Sequence, residues 1–184
     1  MTKTAERMLR LMDRAVTEWR LPVLGKQKSS LMRRLLVRHK PRRGIEVGSL
    51  FGYSAILIGS SLPRGGRLTC IEANPFLAEI VKWNVAEAGL AGRVKVMAGD
   101  ALRVLPRLRG PVDFLLIDAK KDDYLRYLRA VEPRLTKGAL VVADNTGIYR
   151  RETANYLAHV RNRRYTSREH DFGFDCMEVS VYRG

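Results

Sequence analysis

The chain has 184 residues, of which 46% are hydrophobic, so it is long enough to fold around one sizeable core. The formal net charge is +15, which favours polyanionic partners such as RNA, although arginines that merely solvate helices would give the same total. The apolar stretches are too short to span a bilayer, the amino-terminal segment is charged, and two cysteines make no disulfide framework, so we expect a cytoplasmic protein that has no membrane partner.

Helical and strand patterns alternate along the chain. In chain order they predict helices at 3–18 and 28–39, a strand at 44–48, a helix at 52–61, a strand at 67–73, a helix at 75–88, a strand at 94–98, a helix at 101–107, a strand at 112–118, a helix at 122–134, a strand at 137–143, a helix at 152–163 and a last strand at 176–183 that pairs with 165–169. This alternation indicates an α/β fold with one doubly wound, mainly parallel sheet and an antiparallel carboxyl-terminal strand. We expect a single domain over 1–184, in which helices within 1–40 cover the ligand side of a Rossmann-like core at 44–184.

The first two predicted strands end in residues typical of a nucleoside site. Gly48 and Gly52 form a strand-to-helix turn that matches neither the dinucleotide fingerprint nor a P-loop. Glu72 follows Gly48 by 24 positions, where an acidic residue can accept hydrogen bonds from ribose hydroxyls. Glu72 could instead cap the helix that begins at Pro75, but Asn74 suits that role better. The pair predicts a nucleoside ligand without pyrophosphate, a description that fits S-adenosylmethionine.

Polar residues also end the fourth and fifth predicted strands, which are neighbours in a doubly wound sheet. Asp118, Asp144 and Asn145 would supply two carboxylates and an amide oxygen, a donor set suited to Mg²⁺. Such residues also end strands for purely structural reasons. Lys121 follows Asp118 by three positions, and a lysine beside a divalent cation is pushed toward its neutral form, as a general base requires. Lys120 is the competing candidate for this role.

The ordered set of motifs resembles the metal-dependent class I O-methyltransferases, the group that contains the catechol and caffeoyl-CoA O-methyltransferases. The matching segments are GIEVGSLFGYSA, LTCIEANP, VKVMAGDA, FLLIDAKKDDY and GALVVADN. This resemblance implies cofactor contacts from Leu24, Glu46, Gly48, Ser49, Ser54, Glu72, Ala73, Asp100, Ala101 and Asp118. It implies Asp118, Asp144 and Asn145 as ligands of Mg²⁺ or another divalent cation, with Lys121 as the catalytic base. Lys121, Asn145 and Glu169 would contact the methyl acceptor.

One departure leaves the acceptor open. Catechol-specific members carry a His-Trp pair after the first metal aspartate, where this chain has Ala119 and Lys120. The expected function is S-adenosylmethionine- and metal-dependent O-methyl transfer to a small catechol-like or vicinal-diol aromatic acceptor. Two alternatives stay open: a tRNA or rRNA methyltransferase that acts on a hydroxylated nucleoside, and a cofactor-binding module without catalysis. Monomeric and homodimeric states both fit the sequence.

Overall fold

The computed structural model describes residues 2–19 and 21–184, so Met1 and Arg20 lie outside the described part. The helices are α1 (Lys3–Trp19), α2 (Gly25–His39), α3 (Tyr53–Ser61), α4 (Pro75–Glu87), α5 (Ala101–Val104), α6 (Tyr124–Val131) and α7 (Ala154–Val160). The strands are β1 (Arg43–Val47), β2 (Arg67–Glu72), β3 (Val94–Ala98), β4 (Val112–Ile117), β5 (Leu135–Ala143), β6 (Tyr165–Asp171) and β7 (Cys176–Tyr182). Each predicted element is therefore present, with its ends shifted by a few residues.

The seven strands form one sheet in the order β3-β2-β1-β4-β5-β7-β6. The first five strands in that order are parallel, β7 pairs antiparallel with β5, and β6 pairs antiparallel with β7. The predicted doubly wound, mainly parallel α/β sheet is confirmed. Strand order reverses direction between β1 and β4, and such a switch point opens a crevice at the carboxyl ends of the strands.

Alternating side chains of the central strands build two cores, one on each face of the sheet. On β4, Phe114 and Leu116 belong to the core beneath α1 to α4, whereas Leu115 and Ile117 belong to the core beneath α5 to α7. All four side chains are fully buried. A strand that is covered on both faces needs apolar side chains at every position, which explains why residues 114–117 are all apolar.

Two helices differ from the sequence prediction. The predicted helix at 122–134 is a short α-helix, α6, between two 3₁₀ turns at Lys121–Asp123 and Glu132–Arg134. For α1, the helical spacing of apolar residues in the sequence predicts a face made of Met8, Leu11, Met12, Ala15 and Val16. The structure instead buries Ala5, Leu9 and Met12, and Leu11 is 49% exposed. Ala5, Leu9 and Met12 follow one another at intervals of four and three residues, so they share one face of the helix, and Leu11 lies beside that face.

Within the described residues, no helix combines the length and apolarity that crossing a membrane requires. The longest helix, α1, has 17 residues and carries charged side chains along its length.

Candidate functional site

A cavity of about 620 Å³ opens at the carboxyl ends of β1, β2 and β4, as the topology predicts. All but one of the residues expected to contact the cofactor line it: Leu24, Gly48, Ser49, Ser54, Glu72, Ala73, Asp100, Ala101 and Asp118. Pro22, Val23 and Leu24 close one side, so the segment between α1 and α2 borders the cavity. A cleft of this size accommodates a drug-sized ligand.

Gly48 brings the ends of β1 and β4 together. Its φ is +87°, and a Cβ atom at this position would lie 2.0 Å from the carbonyl oxygen of Asp118. Only glycine fits such a close approach and such a φ value. The chain then turns at Gly52, which has a φ of +94° and lies immediately before the first residue of α3. The backbone is therefore exposed to the cavity at this turn.

Glu72 organises the backbone of the Gly48 turn. Its carboxylate accepts the N–H groups of Ser49 at 3.0 Å, Leu50 at 2.9 Å and Asn74 at 3.0 Å. Asn74 caps α4 by accepting the N–H groups of Phe76 and Leu77, so the cap role falls to Asn74 as the sequence indicated. A carboxylate has about four acceptor positions, so one stays available to a ligand in the cavity.

Glu46 lies behind the cavity wall and does not line it. It is fully buried, and its Oε2 accepts a hydrogen bond from the Ser49 hydroxyl at 3.0 Å. Its Oε1 has no hydrogen-bond partner in the part of the chain that the structure describes. Burial raises the pKa of Glu46 to about 7, although neighbouring Cys70, Ser54 and Ser49 lower it in part. Glu46 thus lies under the turn, and its contact with the cofactor stays a prediction.

Lys121 joins the ends of β4 and β5. Its Nζ donates to Asp118 Oδ1 at 2.9 Å, Asn145 Oδ1 at 2.9 Å and the Tyr124 hydroxyl at 2.8 Å. Asn145 adopts a left-handed φ of +59°, a conformation that asparagine tolerates better than most residues and that often marks a functional site. The Lys120 side chain is 69% exposed, and its Nζ lies 3.6 Å from the Asp123 carboxylate. Of the two lysines, Lys121 is the one held by carboxylate and amide oxygens at these strand ends. We call Asp118, Asp144, Asn145 and Asp175, together with the lysines that they bind, the acidic cluster.

A second lysine, Lys28, lies in the same cluster and was not predicted. Its Nζ donates to Asp144 Oδ1 at 2.5 Å and to Asp175 Oδ2 at 2.6 Å, and all three side chains are buried. Asp175 also accepts the Asn145 side-chain amide at 2.7 Å. Burial by itself lowers the pKa of Lys28, but the two carboxylates outweigh it and the net shift is upward. Burial and the nearby Asp118 raise the pKa of Asp144, and Lys28 partly offsets this upward shift.

The sequence carried signals for both missed residues. Lys28 stands at the helical spacing of Leu31, Met32 and Leu36, so it occupies a core-facing position of α2 where a lysine is unusual. Asp175 immediately precedes β7, and Ala143 of β5 lies opposite Glu178 of β7. Antiparallel pairing therefore brings the start of β7 beside the end of β5, and Asp175 beside Asn145.

The acidic cluster has the chemistry of a hard-cation site. Asp118 and Asn145 already direct one oxygen each toward a single cationic atom, Lys121 Nζ, while Asp144 presents its carboxylate from the same strand end as Asn145. Carboxylate and amide oxygens are the donors that Mg²⁺ and Ca²⁺ take. The described residues contain no group of three or more His, Cys, Asp or Glu side chains that could hold a metal. The candidate donor set is two carboxylates, Asp118 and Asp144, and one amide, Asn145. These residues fit a divalent cation.

Glu169 is not joined to this cluster by any hydrogen bond among the described residues. It lies on β6, where its carboxylate accepts from Arg150 at 2.8 Å and from Arg161 at 2.9 Å. These two arginines lower its pKa despite partial burial, which raises it. Both arginines bind Oε2 of Glu169, and the acceptor contact of this residue stays a prediction.

Sequence comparison finds catechol O-methyltransferases among the relatives of this chain. The chain is 38% identical to the enzyme of Niastella koreensis over 105 residues, which cover 55% of the chain and 48% of that protein. It is 30% identical to the catechol O-methyltransferase of Mus musculus over 172 residues, which cover 90% of the chain and 61% of that protein. The chain thus spans about half to two thirds of the length of these curated relatives.

Solved structures share the whole fold. The O-methyltransferase from Bacillus cereus, solved in complex with SAH, matches 100% of the chain and 92% of its own at a TM-score of 0.83 and 23% identity. The O-methyltransferase TomG from Streptomyces achromogenes, solved with SAM, matches 100% of the chain and 91% of its own at a TM-score of 0.83 and 26% identity. The O-methyltransferase family model matches residues 6–161, a range that contains the whole cavity and every cluster residue except Asp175. This chain belongs to the O-methyltransferase family.

Proposed function

We propose that this protein transfers a methyl group from S-adenosylmethionine to a hydroxyl of a small aromatic acceptor with two neighbouring oxygens, with the help of a divalent cation. The observation that carries the proposal is that the cavity and the acidic cluster share a residue. Asp118 lines the cavity and also accepts the Lys121 ammonium, so a ligand in the cavity would border the acidic cluster.

The cavity suits S-adenosylmethionine in both polarity and size. Ser49, Ser54 and the Gly48 turn would hold the methionine part, and Glu72 would accept the ribose hydroxyls with its free acceptor position. Asp100 and Ala101 would border the adenine at the amino terminus of α5. The TomG structure contains SAM, and this chain has the same fold, which supports the assignment.

Asp118, Asp144 and Asn145 would hold the divalent cation. When bound there, the cation lowers the pKa of an acceptor hydroxyl that it contacts. With the oxygens of Asp118 and Asn145 engaged in this way, Lys121 Nζ would be released from them, and its neutral amine form would take the proton of that hydroxyl. Bound S-adenosylmethionine would supply the methyl group to the resulting oxyanion, with S-adenosylhomocysteine as the leaving group, and alignment of the two bound reactants would supply much of the acceleration.

An apolar rim beside the cluster favours a flat aromatic acceptor. The three large hydrophobic residues Ile148, Tyr149 and Phe174 are 58%, 40% and 65% exposed. The Tyr149 ring lies 5.5 Å from Lys121 Nζ, and the Phe174 ring lies 5.6 Å from Lys28 Nζ. Exposed aromatic side chains next to buried charges are typical of a ligand-contacting surface.

A methyl-transfer assay with labelled S-adenosylmethionine and catechol tests this function. We expect product that disappears with EDTA and returns with Mg²⁺, and an Asp144→Asn variant that needs much more Mg²⁺ for the same rate. Cofactor binding is measured separately by calorimetry with S-adenosylhomocysteine. Binding without transfer to any hydroxylated aromatic would contradict the transferase proposal and favour a cofactor-binding module. Transfer that is insensitive to EDTA would contradict the metal role alone.

The net charge of +15 supports a second candidate acceptor, a hydroxylated nucleoside in tRNA or rRNA. A gel shift with bulk tRNA between 50 and 200 mM salt separates the two candidates. Contacts to many phosphates release counterions, so RNA affinity would fall steeply over this range. Labelled methyl groups recovered in RNA, and not in catechol, would decide for the second candidate.

A further inference from the structure

A second cavity, of about 370 Å³, lies at the opposite end of the sheet from the proposed cofactor site. It opens where β1, β2 and β4 begin, and strands of five or six residues separate the two cavities by about 20 Å. Five arginines line it: Arg42, Arg43, Arg67, Arg109 and Arg134. We call this cavity with its five arginines the arginine cleft.

The guanidinium groups of the arginine cleft have no carboxylate partner. Within the described residues, no ion pair shorter than 4.0 Å joins any of the five to an acidic side chain. The nearby carboxylate, Asp113, is engaged by the backbone, because it accepts the N–H groups of Arg42 at 2.8 Å and Arg43 at 2.7 Å. Five positive charges therefore face one small volume with little neutralisation.

Backbone carbonyls hold three of these arginines in place. Arg109 Nη1 donates to the Pro106 carbonyl at 2.9 Å, Arg134 Nη2 to the Leu105 carbonyl at 3.1 Å, and Arg67 Nη1 to the Gly92 carbonyl at 3.3 Å. Each guanidinium has five N–H donors, so most of them stay available. Arg134 Nη1 is buried and has no hydrogen-bond partner among the described residues, which is costly for a donor.

We propose that the arginine cleft binds a small molecule that carries two or more consecutive phosphate groups. Guanidinium groups form paired hydrogen bonds with phosphate oxygens, and a single phosphate is too small to contact five of them. Ile45, Leu108 and Val112 also line the cleft, and its volume of about 370 Å³ suits a small ligand better than a nucleic-acid strand. An inorganic polyphosphate and the polyphosphate of a nucleotide share this chemistry.

Calorimetric titration of the intact protein with sodium tripolyphosphate, ATP and AMP tests the proposal. The protein is first saturated with S-adenosylhomocysteine, so that adenosine groups cannot enter the other cavity. We expect one tripolyphosphate per chain, with AMP at least tenfold weaker. If ATP binds more tightly than tripolyphosphate, the natural ligand is a nucleotide; if it binds equally or less tightly, the phosphates alone are recognised.

Two variants of equal charge distinguish the cleft from the overall charge. Arg43→Ala/Arg109→Ala removes two cleft arginines, and Arg129→Ala/Arg163→Ala removes two exposed arginines elsewhere, neither in an ion pair in the described part of the chain. We expect at least a tenfold loss of tripolyphosphate affinity in the first variant and little change in the second. Equal losses in both variants, no binding of tripolyphosphate, or binding of RNA alone would overturn the proposal. Binding of S-adenosylhomocysteine by both variants confirms that they are folded.

Discussion

Lys28 and Lys121 lie in one acidic cluster, but their surroundings differ. The Lys28 side chain is 3% exposed and forms ion pairs with two carboxylates that are equally buried. The Lys121 side chain is 15% exposed, and its carboxylate partner Asp118 is 30% exposed. Burial makes removal of one partner expensive, because the remaining charges lose both water and counter-charge. The two lysines should therefore respond differently to the same substitution.

Lys28→Met should lower the free energy of unfolding by about 3–5 kcal/mol, since it leaves Asp144 and Asp175 buried without their cation. Urea denaturation at pH 7 measures this difference. The matched control is Lys121→Met, for which we expect a clearly smaller loss of stability. A Lys28→Met protein as stable as the unmodified chain would show that this buried ion pair does not support the fold.

Lys121→Met should reduce the methyl-transfer rate by about 10²–10⁴-fold, the usual contribution of general base catalysis. Its effect on S-adenosylhomocysteine affinity should be small, because Lys121 does not line the cofactor cavity. Rates at saturating acceptor and calorimetric affinities separate the two effects. If the rate falls less than tenfold, Lys121 is not the base, and Lys120→Met becomes the variant to measure.

At the scale of elements, the turn after β1 depends on how closely β1 approaches β4. Gly48→Ala should destabilise the protein strongly and abolish cofactor binding, because the new Cβ would lie 2.0 Å from the Asp118 carbonyl oxygen. Gly89→Ala is the control: it has a similar φ of +71° but nothing within 4 Å of its Cβ. Gly89→Ala should lower the free energy of unfolding by only about 1–2 kcal/mol, the strain of an alanine in the left-handed conformation. Thermal unfolding and S-adenosylhomocysteine titration compare the two, and equal effects would contradict the steric explanation.

The elements themselves were largely predictable. Apolar runs bounded by glycine and polar residues predicted every strand except β6, because strands covered on both faces require such runs. The polar segment of β6 was expected only as the antiparallel partner of β7. Helix ends were less predictable, as α6 shows: Glu132–Arg134 continues the helical spacing, but Pro133 removes a backbone donor and a 3₁₀ turn follows. The buried face of α1 was predicted only in part, since the packing of α1 against α3 and α4 selects Leu9 over Leu11.

At the scale of the whole molecule, Glu46 should make stability depend on pH. Its folded pKa of about 7 lies above the ordinary value of 4.5, so the folded state binds the proton more tightly than the unfolded state. The resulting stabilisation is present below pH 4.5 and is lost as pH rises through 7. Since each pKa unit is worth about 1.4 kcal/mol, the loss is at most about 3.5 kcal/mol.

Glu46→Gln isolates this contribution. The free energy of unfolding of the unmodified protein, relative to that of Glu46→Gln, should fall as pH rises from 5 to 8. Urea denaturation at several pH values without cofactor measures the difference, and all other titrating groups cancel between the two proteins. A constant or rising difference would contradict the pKa of Glu46.

The sequence by itself determined the strand and helix pattern, the turn at Gly48, and the set of Glu72, Asp118, Lys121, Asp144 and Asn145. These residues are readable because each stands at the end of a strand, and parallel strands in a doubly wound sheet bring those ends to one edge. Only the tertiary structure decided the buried pairing of Lys28 with Asp144 and Asp175, the position of Glu46 behind the wall, and the arginine cleft. Lys28 and Asp175 are 147 positions apart. Their contact depends on β7 pairing with β5 and on α2 packing over the sheet, which no local pattern encodes.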